Sequence, residues 1–200
     1  MKKLVVPGEK VSGKPLRMQG IYPDKGGAYA EVVGIWEGEK EKFIPLEAIY
    51  APLAGDFVVG VIDEERIIGY SVDIDAPYKG LIFARDTRTR FAPGDVVFAE
   101  IDEVSEVKDI ILARAKRLEG GSTITISPAK ISRIIGKKSS MIEMIAKMTK
   151  CEVYVGKNGI IWLKGGDIRK AVDAILTIEK EAHTSGLTDR IQRFLSGPGN

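Results

Sequence analysis

The sequence predicts a multidomain protein of β and α+β class: a small N-terminal β domain, a five-stranded barrel, and a C-terminal βααββα unit. Three observations carry this. Before residue 118 no stretch repeats apolar residues at helical spacing, and short runs punctuated by glycine and proline recur instead. Gly120-Gly121 then marks a break. Beyond it, strand and helix periods alternate in the order strand, helix, helix, strand, strand, helix.

At 200 residues the chain exceeds one small module, and 44% apolar with 29% charged residues is ordinary for a globular protein. No apolar run approaches a membrane-spanning length. The opening Met1-Lys2-Lys3-Leu4-Val5-Val6 is stopped by Pro7-Gly8, too early for a signal peptide. Cys151, the only cysteine, excludes an intramolecular disulfide, and with His183 it is too little for a zinc site. The expectation is a reducing, cytoplasmic setting with no metal or cofactor.

Residues 1–54 are expected to form the first β domain. Tyr29–Trp36 and Lys42–Leu46 read as strands around the polar turn Glu37-Gly38-Glu39-Lys40, and nothing helical is expected there. Residues 55–118 give five more strands: Phe57–Val61, Ile67–Ile74, Lys79–Phe83, Val96–Val104 and Ile110–Ala115. Five short strands with a long loop between the third and fourth fit a Greek-key OB barrel. That loop, Ala84 to Arg90, places Arg85, Arg88 and Arg90 on an otherwise acidic domain.

Residues 121–187 form the third domain. Ser122–Ile126 alternates as a strand, and Ser127-Pro128 supplies an N-cap and a proline at the first helical position. Ile131, Ile134 and Ile135 share a face of the first helix. Ser140-Met141-Ile142-Glu143 reads as a capping box for the second. Strands follow at Glu152–Val155 and Ile160–Leu163. The last long helix starts near Asp167 and buries Ile168, Ala171, Val172, Ile175, Ile178 and Ala182. Residues 188–200 add a short amphipathic helix and a Gly/Pro tail.

Charge is unevenly spread. Residues 1–54 carry 8 Lys/Arg and 7 Asp/Glu, residues 55–120 carry 9 against 14, and residues 121–200 carry 13 against 7. No acidic residue falls between Gly120 and Glu143, where Lys130, Arg133, Lys137 and Lys138 sit. In Gly136-Lys137-Lys138-Ser139 a turn joins two apolar helices. It aims backbone N–H groups and a helix N-terminus at one point beside two ammonium groups, and phosphate suits that point. The bland alternative is a helix–helix turn with solvated lysines.

The segment is similar to the Gly-x-x-Gly clamp of a KH domain, with Ser139 at the second glycine. If that position needs left-handed torsions, a Cβ there costs about 1–2 kcal/mol. The domain order, with Val155-Gly156-Lys157-Asn158-Gly159-Ile160-Ile161-Trp162, resembles the S1-and-KH RNA-binding cap subunits of the archaeal RNA exosome. The segment matches that family's Gly-x-Asn-Gly-x-x-Trp hallmark. The resemblance assigns Gly156, Asn158, Gly159 and Trp162 a structural role, packing the KH domain against the barrel. Bacterial polynucleotide phosphorylase has the opposite order, KH before S1, behind catalytic domains that this chain lacks.

The resemblance further implies a non-catalytic subunit that captures single-stranded RNA for a phosphorolytic 3'-5' exoribonuclease. That enzyme is a hexameric ring of RNase PH-like chains carrying the subunit in three copies, with the N-terminal β domain docking on the ring. The candidate RNA contacts are Arg133, Gly136, Lys137, Lys138 and Ser139 in the KH turn, with Arg85, Arg88, Arg90 and Lys79 on the barrel. Tyr78 is a weaker stacking candidate. A scaffold that touches RNA only through barrel loops, or a stand-alone RNA-binding protein, are the alternatives.

Catalytic readings are weaker. Gly8 to Lys14 has Walker A spacing, but Pro15 stands where a magnesium-binding Ser or Thr is needed. Asp73 and Asp75 lie two apart on an expected strand, hence on one face, without a third acid or histidine. Cys151 is expected to pack in the interior and His183 to lie at the surface.

Overall fold

The computed structural model describes residues 2–16, 18, 20–45, 50–105, 109–182, 184 and 186–197. Contacts divide the chain into two units, residues 1–49 and 50–200. His183 and Leu46 lie outside the described residues.

The first unit holds β1 (Lys2–Val5), β2 (Lys10–Ser12), β3 (Ile21–Asp24), β4 (Gly27–Ala30), β5 (Gly34–Glu37) and β6 (Lys42–Pro45). They form two three-stranded sheets, ordered β1-β5-β6 and β2-β4-β3. The expected single strand over Tyr29–Trp36 is therefore two strands in different sheets, broken at residues 31–33. Apolar composition runs through the break, so periodicity could not reveal it. Between β5 and β6, Gly38–Lys40 forms one 3-10 turn, closed by Glu41 at φ 45°, so the stretch is not free of helical turns. Val5, Ile21, Ala28, Ala30, Trp36 and Phe43 make its core.

The second unit starts with a closed barrel: β7 (Phe57–Arg66), β8 (Gly69–Asp73), β9 (Gly80–Phe83), β10 (Val96–Val104) and β11 (Ile110–Leu118). Around the barrel the order is β10-β11-β9-β8-β7, with β11 parallel to β9 and every other pair antiparallel. Val58, Ile62, Val72, Ile74, Ile82, Val97, Ile101, Ile110 and Leu112 fill it. Tyr50 packs in the same core, and its hydroxyl donates to Asp56 Oδ2 at 2.8 Å. Burial, helped by that carboxylate, pushes the phenol above the usual tyrosine range.

Ile67 and Ile68 depart from the strand expected of them. The β7–β8 ladder runs out to the pair Arg66–Gly69, which leaves both isoleucines as the hairpin tip, Ile67 fully exposed. Asp73 ends β8, and Asp75 turns away at φ 52° with its N–H bonded to Asp73 Oδ1 at 3.0 Å. The two carboxylates thus form a local turn rather than a pair on one strand face.

The remainder is β12 (Ser122–Thr125), α1 (Pro128–Ile135), α2 (Ser140–Thr149), β13 (Glu152–Val155), β14 (Ile160–Lys164), α3 (Ile168–Glu181) and α4 (Leu187–Ser196). Its antiparallel sheet has the order β12-β14-β13. Ile131 and Ile134 of α1, Met141 and Ile145 of α2, and Ile161 and Leu163 of β14 share one core. Asp167 caps α3 by accepting from the Lys170 N–H at 3.0 Å. Ala171, Ala174, Ile175 and Ile178 then face that core at helical spacing, as do Leu187, Ile191 and Leu195 of α4.

Two capping expectations fail in detail. Ser127 stands at the N-cap of α1, but its hydroxyl caps nothing; its N–H donates to Glu179 Oε1 of α3 at 2.8 Å. Ser140 is already helical, so it cannot open a capping box, and Ser139 takes the N-cap place without a side-chain bond.

The barrel and the βααββα unit are joined through Asn158, which is 1% exposed. Its Nδ2 donates to the carbonyls of Val59 at 2.7 Å and Ile74 at 2.8 Å, and its Oδ1 accepts from the Val59 N–H at 3.3 Å. Lys157 N–H donates to the Phe57 carbonyl at 2.7 Å. A Cβ on Gly156 would stand 2.6 Å from the Val59 nitrogen, so the close approach needs glycine. Trp162 packs with Val59 and Leu118 below this joint, and Gly121 lies directly against its indole.

Candidate nucleic-acid interface

α1 stops where Gly136 leaves the helical region at φ 76°, ψ 176° while its N–H still reaches the Ser132 carbonyl at 3.1 Å. A side chain there would meet the Met141 Cβ at 2.7 Å and the Met141 nitrogen at 2.9 Å. The chain turns once through Lys137–Ser139, with Lys138 at φ 52° and Ser139 at φ 62°. Two successive non-glycine residues are therefore left-handed, each at a cost of about 1–2 kcal/mol. Lys137 and Lys138 are exposed, and Ser139 is half-buried.

This geometry answers the condition attached to Ser139. The fourth position of the turn does take glycine-like torsions, and the serine adopts them. Because the Ser139 hydroxyl does not cap α2, the first amides of that helix have no side-chain acceptor from their own N-cap. Two exposed ammonium groups then lie on one turn at the start of α2, an arrangement that suits a phosphodiester oxygen. Arg133 is exposed on α1, and its guanidinium donates to the Thr184 carbonyl at 3.3 Å.

On the barrel, Ala84–Asp86 forms a 3-10 turn after β9. Arg85 lies 4.8 Å from the centroid of the Phe83 ring and 3.6 Å from Asp86, while Arg88 and Arg90 are exposed. Arg117 of β11 fixes the end of this loop: it pairs with Asp95 at 2.7 Å and donates to the Arg90 carbonyl. Nothing in its alternating strand context marked Arg117 as a loop anchor. Lys79 is held by Asp63 at 2.5 Å, which raises its pKa, so an RNA contact by Lys79 must compete with that carboxylate.

The Gly8–Lys14 segment contains β2 and no helix, which removes the phosphate-loop geometry. Cys151 is buried, its thiol directed at the Gly165 carbonyl at 2.9 Å. Among the described residues no group of three or more His, Cys, Asp or Glu could hold a metal, and no helix is long and apolar enough to cross a membrane.

Residues 121–169 match the KH domain family. The chain is 36% identical to the exosome complex component Rrp4 of Methanothermus fervidus, over 96% of this chain and 94% of that one. It belongs to the Rrp4 family. The Thermococcus kodakarensis Rrp4 is 35% identical over 97% of this chain and 85% of its own length. The crystal structure of a protein described as an exosome complex RNA-binding protein aligns with a TM-score of 0.65 at 33% identity. That alignment covers 74% of this chain and 95% of the other. Family membership and the observed sheets and helices agree with the multidomain β and α+β class expected from the sequence.

Proposed function

We propose that this chain is a non-catalytic RNA-binding cap subunit of an archaeal exosome. It captures single-stranded RNA and passes it to a phosphorolytic ring of RNase PH-like chains, on which three copies dock through their N-terminal β domains in the cytoplasm. Membership of the Rrp4 family supports the assembly. The observation that carries the RNA contact is the left-handed pair Lys138 and Ser139. A strained non-glycine turn persists only where its surroundings impose it, and such strain gathers at binding sites. Here it presents two exposed lysines at the start of α2.

Capture is electrostatic in this reading. Lysine and arginine displace counterions from the strand, Lys137 and Lys138 at the turn and Arg85, Arg88 and Arg90 on the barrel loop. A second reading, a scaffold touching RNA only through the barrel loop, draws on the serine that replaces the second glycine of the clamp and on the Asn158 joint. Co-expression with the ring tests the assembly: the chain co-purifies, and RNA affinity of the complex falls steeply as salt rises. The purified chain alone, with RNA, magnesium and phosphate, leaves the RNA intact. Failure to join the ring, or cleavage by the chain alone, contradicts the proposal.

A further inference from the structure

We propose that Arg117 is a positioning residue for RNA: braced against Asp95, it holds the arginine loop of the barrel ready for the strand without touching the strand itself. The inference rests on the RNA-binding reading above and concerns the loop that carries Arg85, Arg88 and Arg90.

A bulge puts Arg117 in place. Between the pairs Phe98–Lys116 and Glu100–Ala113, β11 carries one residue more than β10. Arg114, within that interval, is left-handed at φ 52°. The extra residue exchanges the two faces of the strand. Before it, Ile110 and Leu112 fill the barrel, and after it Ala115 packs on the same core. Arg117, two residues further on, therefore continues the inward row. Its guanidinium lies 5.7 Å from the centre of the buried Phe91 ring. A charge placed there needs partners.

The partners come from the loop. Arg117 Nη2 pairs with Asp95 Oδ2 at 2.7 Å and donates to the Arg90 carbonyl, while Nη1 lies 3.8 Å from Glu119 Oε1. The same Asp95 oxygen accepts from the Ala92 N–H at 2.7 Å. One guanidinium thus ties the chain on both sides of Phe91 to β11. At the other end of the loop the Ala84 N–H donates to the Ile68 carbonyl at 3.0 Å, and Arg85 rests on the Phe83 ring. Arg88 stands between these anchors and Arg90 on the second, with both side chains exposed. Arg117 itself has little to offer a phosphate, because its side chain is 31% exposed and two carboxylates answer its charge. What it supplies is order: a loop fixed beforehand loses less freedom when the strand arrives.

The test titrates the full chain with a single-stranded oligoribonucleotide across a range of salt, after thermal unfolding has shown each variant folded. Arg117→Leu/Asp95→Asn removes the brace, keeps the net charge and leaves an acceptor for the Ala92 N–H. It binds about fivefold more weakly, because the loop must now be ordered on binding. Its salt slope stays that of the parent, since no cation that meets a phosphate is lost. In a chain already carrying Arg85→Ala/Arg88→Ala/Arg90→Ala the same pair of substitutions costs nothing further, because those side chains are what the brace positions. Should the pair variant fail to fold, Arg117→Lys keeps the charge without the planar fork and shows the same pattern with about a twofold loss. Parental affinity in the brace variant, alongside weaker binding in the triple arginine variant, overturns the positioning role and leaves the RNA-binding reading intact. A flatter salt slope makes Arg117 a direct contact, and an equal loss in the arginine-free background makes it a purely structural residue; either overturns the role. A triple arginine variant that binds like the parent overturns the loop's part in RNA capture and the inference with it. A parent chain that binds no RNA overturns the inference and the RNA-binding reading together.

Discussion

The βααββα unit contains two glycine turns of similar length and opposite use. Gly136 to Ser139 keeps its lysines in solvent, and the residues it strains, Lys138 and Ser139, carry side chains. Gly156 to Gly159 places its asparagine in the interior, where three hydrogen bonds tie it to Val59 and Ile74 of the barrel side. Both segments contain a Gly-Lys pair, so sequence chemistry alone would make either a phosphate contact. Burial separates them: a turn whose polar side chain is consumed by the neighbouring domain is a joint, and one that leaves its donors outward can bind.

The largest effects are expected at the joint. Asn158→Ala leaves the Val59 N–H and the Val59 and Ile74 carbonyls buried without the side chain they now bond. A loss of about 2–4 kcal/mol is expected, seen as a lower midpoint in denaturant. Gly156→Ala forces a Cβ onto the Val59 backbone, and the same measurement should show about 1–3 kcal/mol. A joint variant that unfolds like the parent would place the two turns in one class. At the other turn the effects move from stability to binding. Removing Lys137 and Lys138 together leaves stability within about 0.5 kcal/mol. If each lysine neutralises one phosphate, it reduces the slope of log affinity against log salt by about 1.4. The smallest effect is Ser139→Gly. Relief of the left-handed strain is partly offset by the freer unfolded chain, so thermal stability rises by less than about 1 kcal/mol. RNA binding tightens, and no gain would show that the turn does not act as a clamp.

Much of this architecture was legible in the sequence because it rests on local periodicity and punctuation. The bounds of β10, the start of α1 at Pro128 and the start of α3 near Asp167 all follow from neighbours within a few residues. Where partners are distant, the sequence was silent. Ile67 and Ile68 read as strand because they are apolar, but the β7–β8 ladder needs them as its turn. The break between β4 and β5 depends on two sheets competing for one segment. Ser140 looked like a helix cap because its spacing to Glu143 is right. The left-handed torsion one residue earlier moves the cap to Ser139, and torsion is invisible in composition. Similarly, the Asn158 acceptors lie 99 and 84 residues away, and only the family hallmark pointed to their meeting. Arg117 anchors the barrel loop through Asp95 and Arg90, far along the chain, and no motif marks it.

In the proposed function the exposed turn, rather than the barrel loop alone, holds RNA. The most direct test compares Lys137→Ala/Lys138→Ala with Arg85→Ala/Arg88→Ala/Arg90→Ala in the ring-bound complex, measuring affinity for one single-stranded RNA across a salt series. Weaker binding and a flatter salt slope in the lysine variant, for every RNA sequence tried, are the predicted result. Parental affinity and slope in the lysine variant, with loss confined to the arginine variant, would contradict it and leave the turn as fold without function.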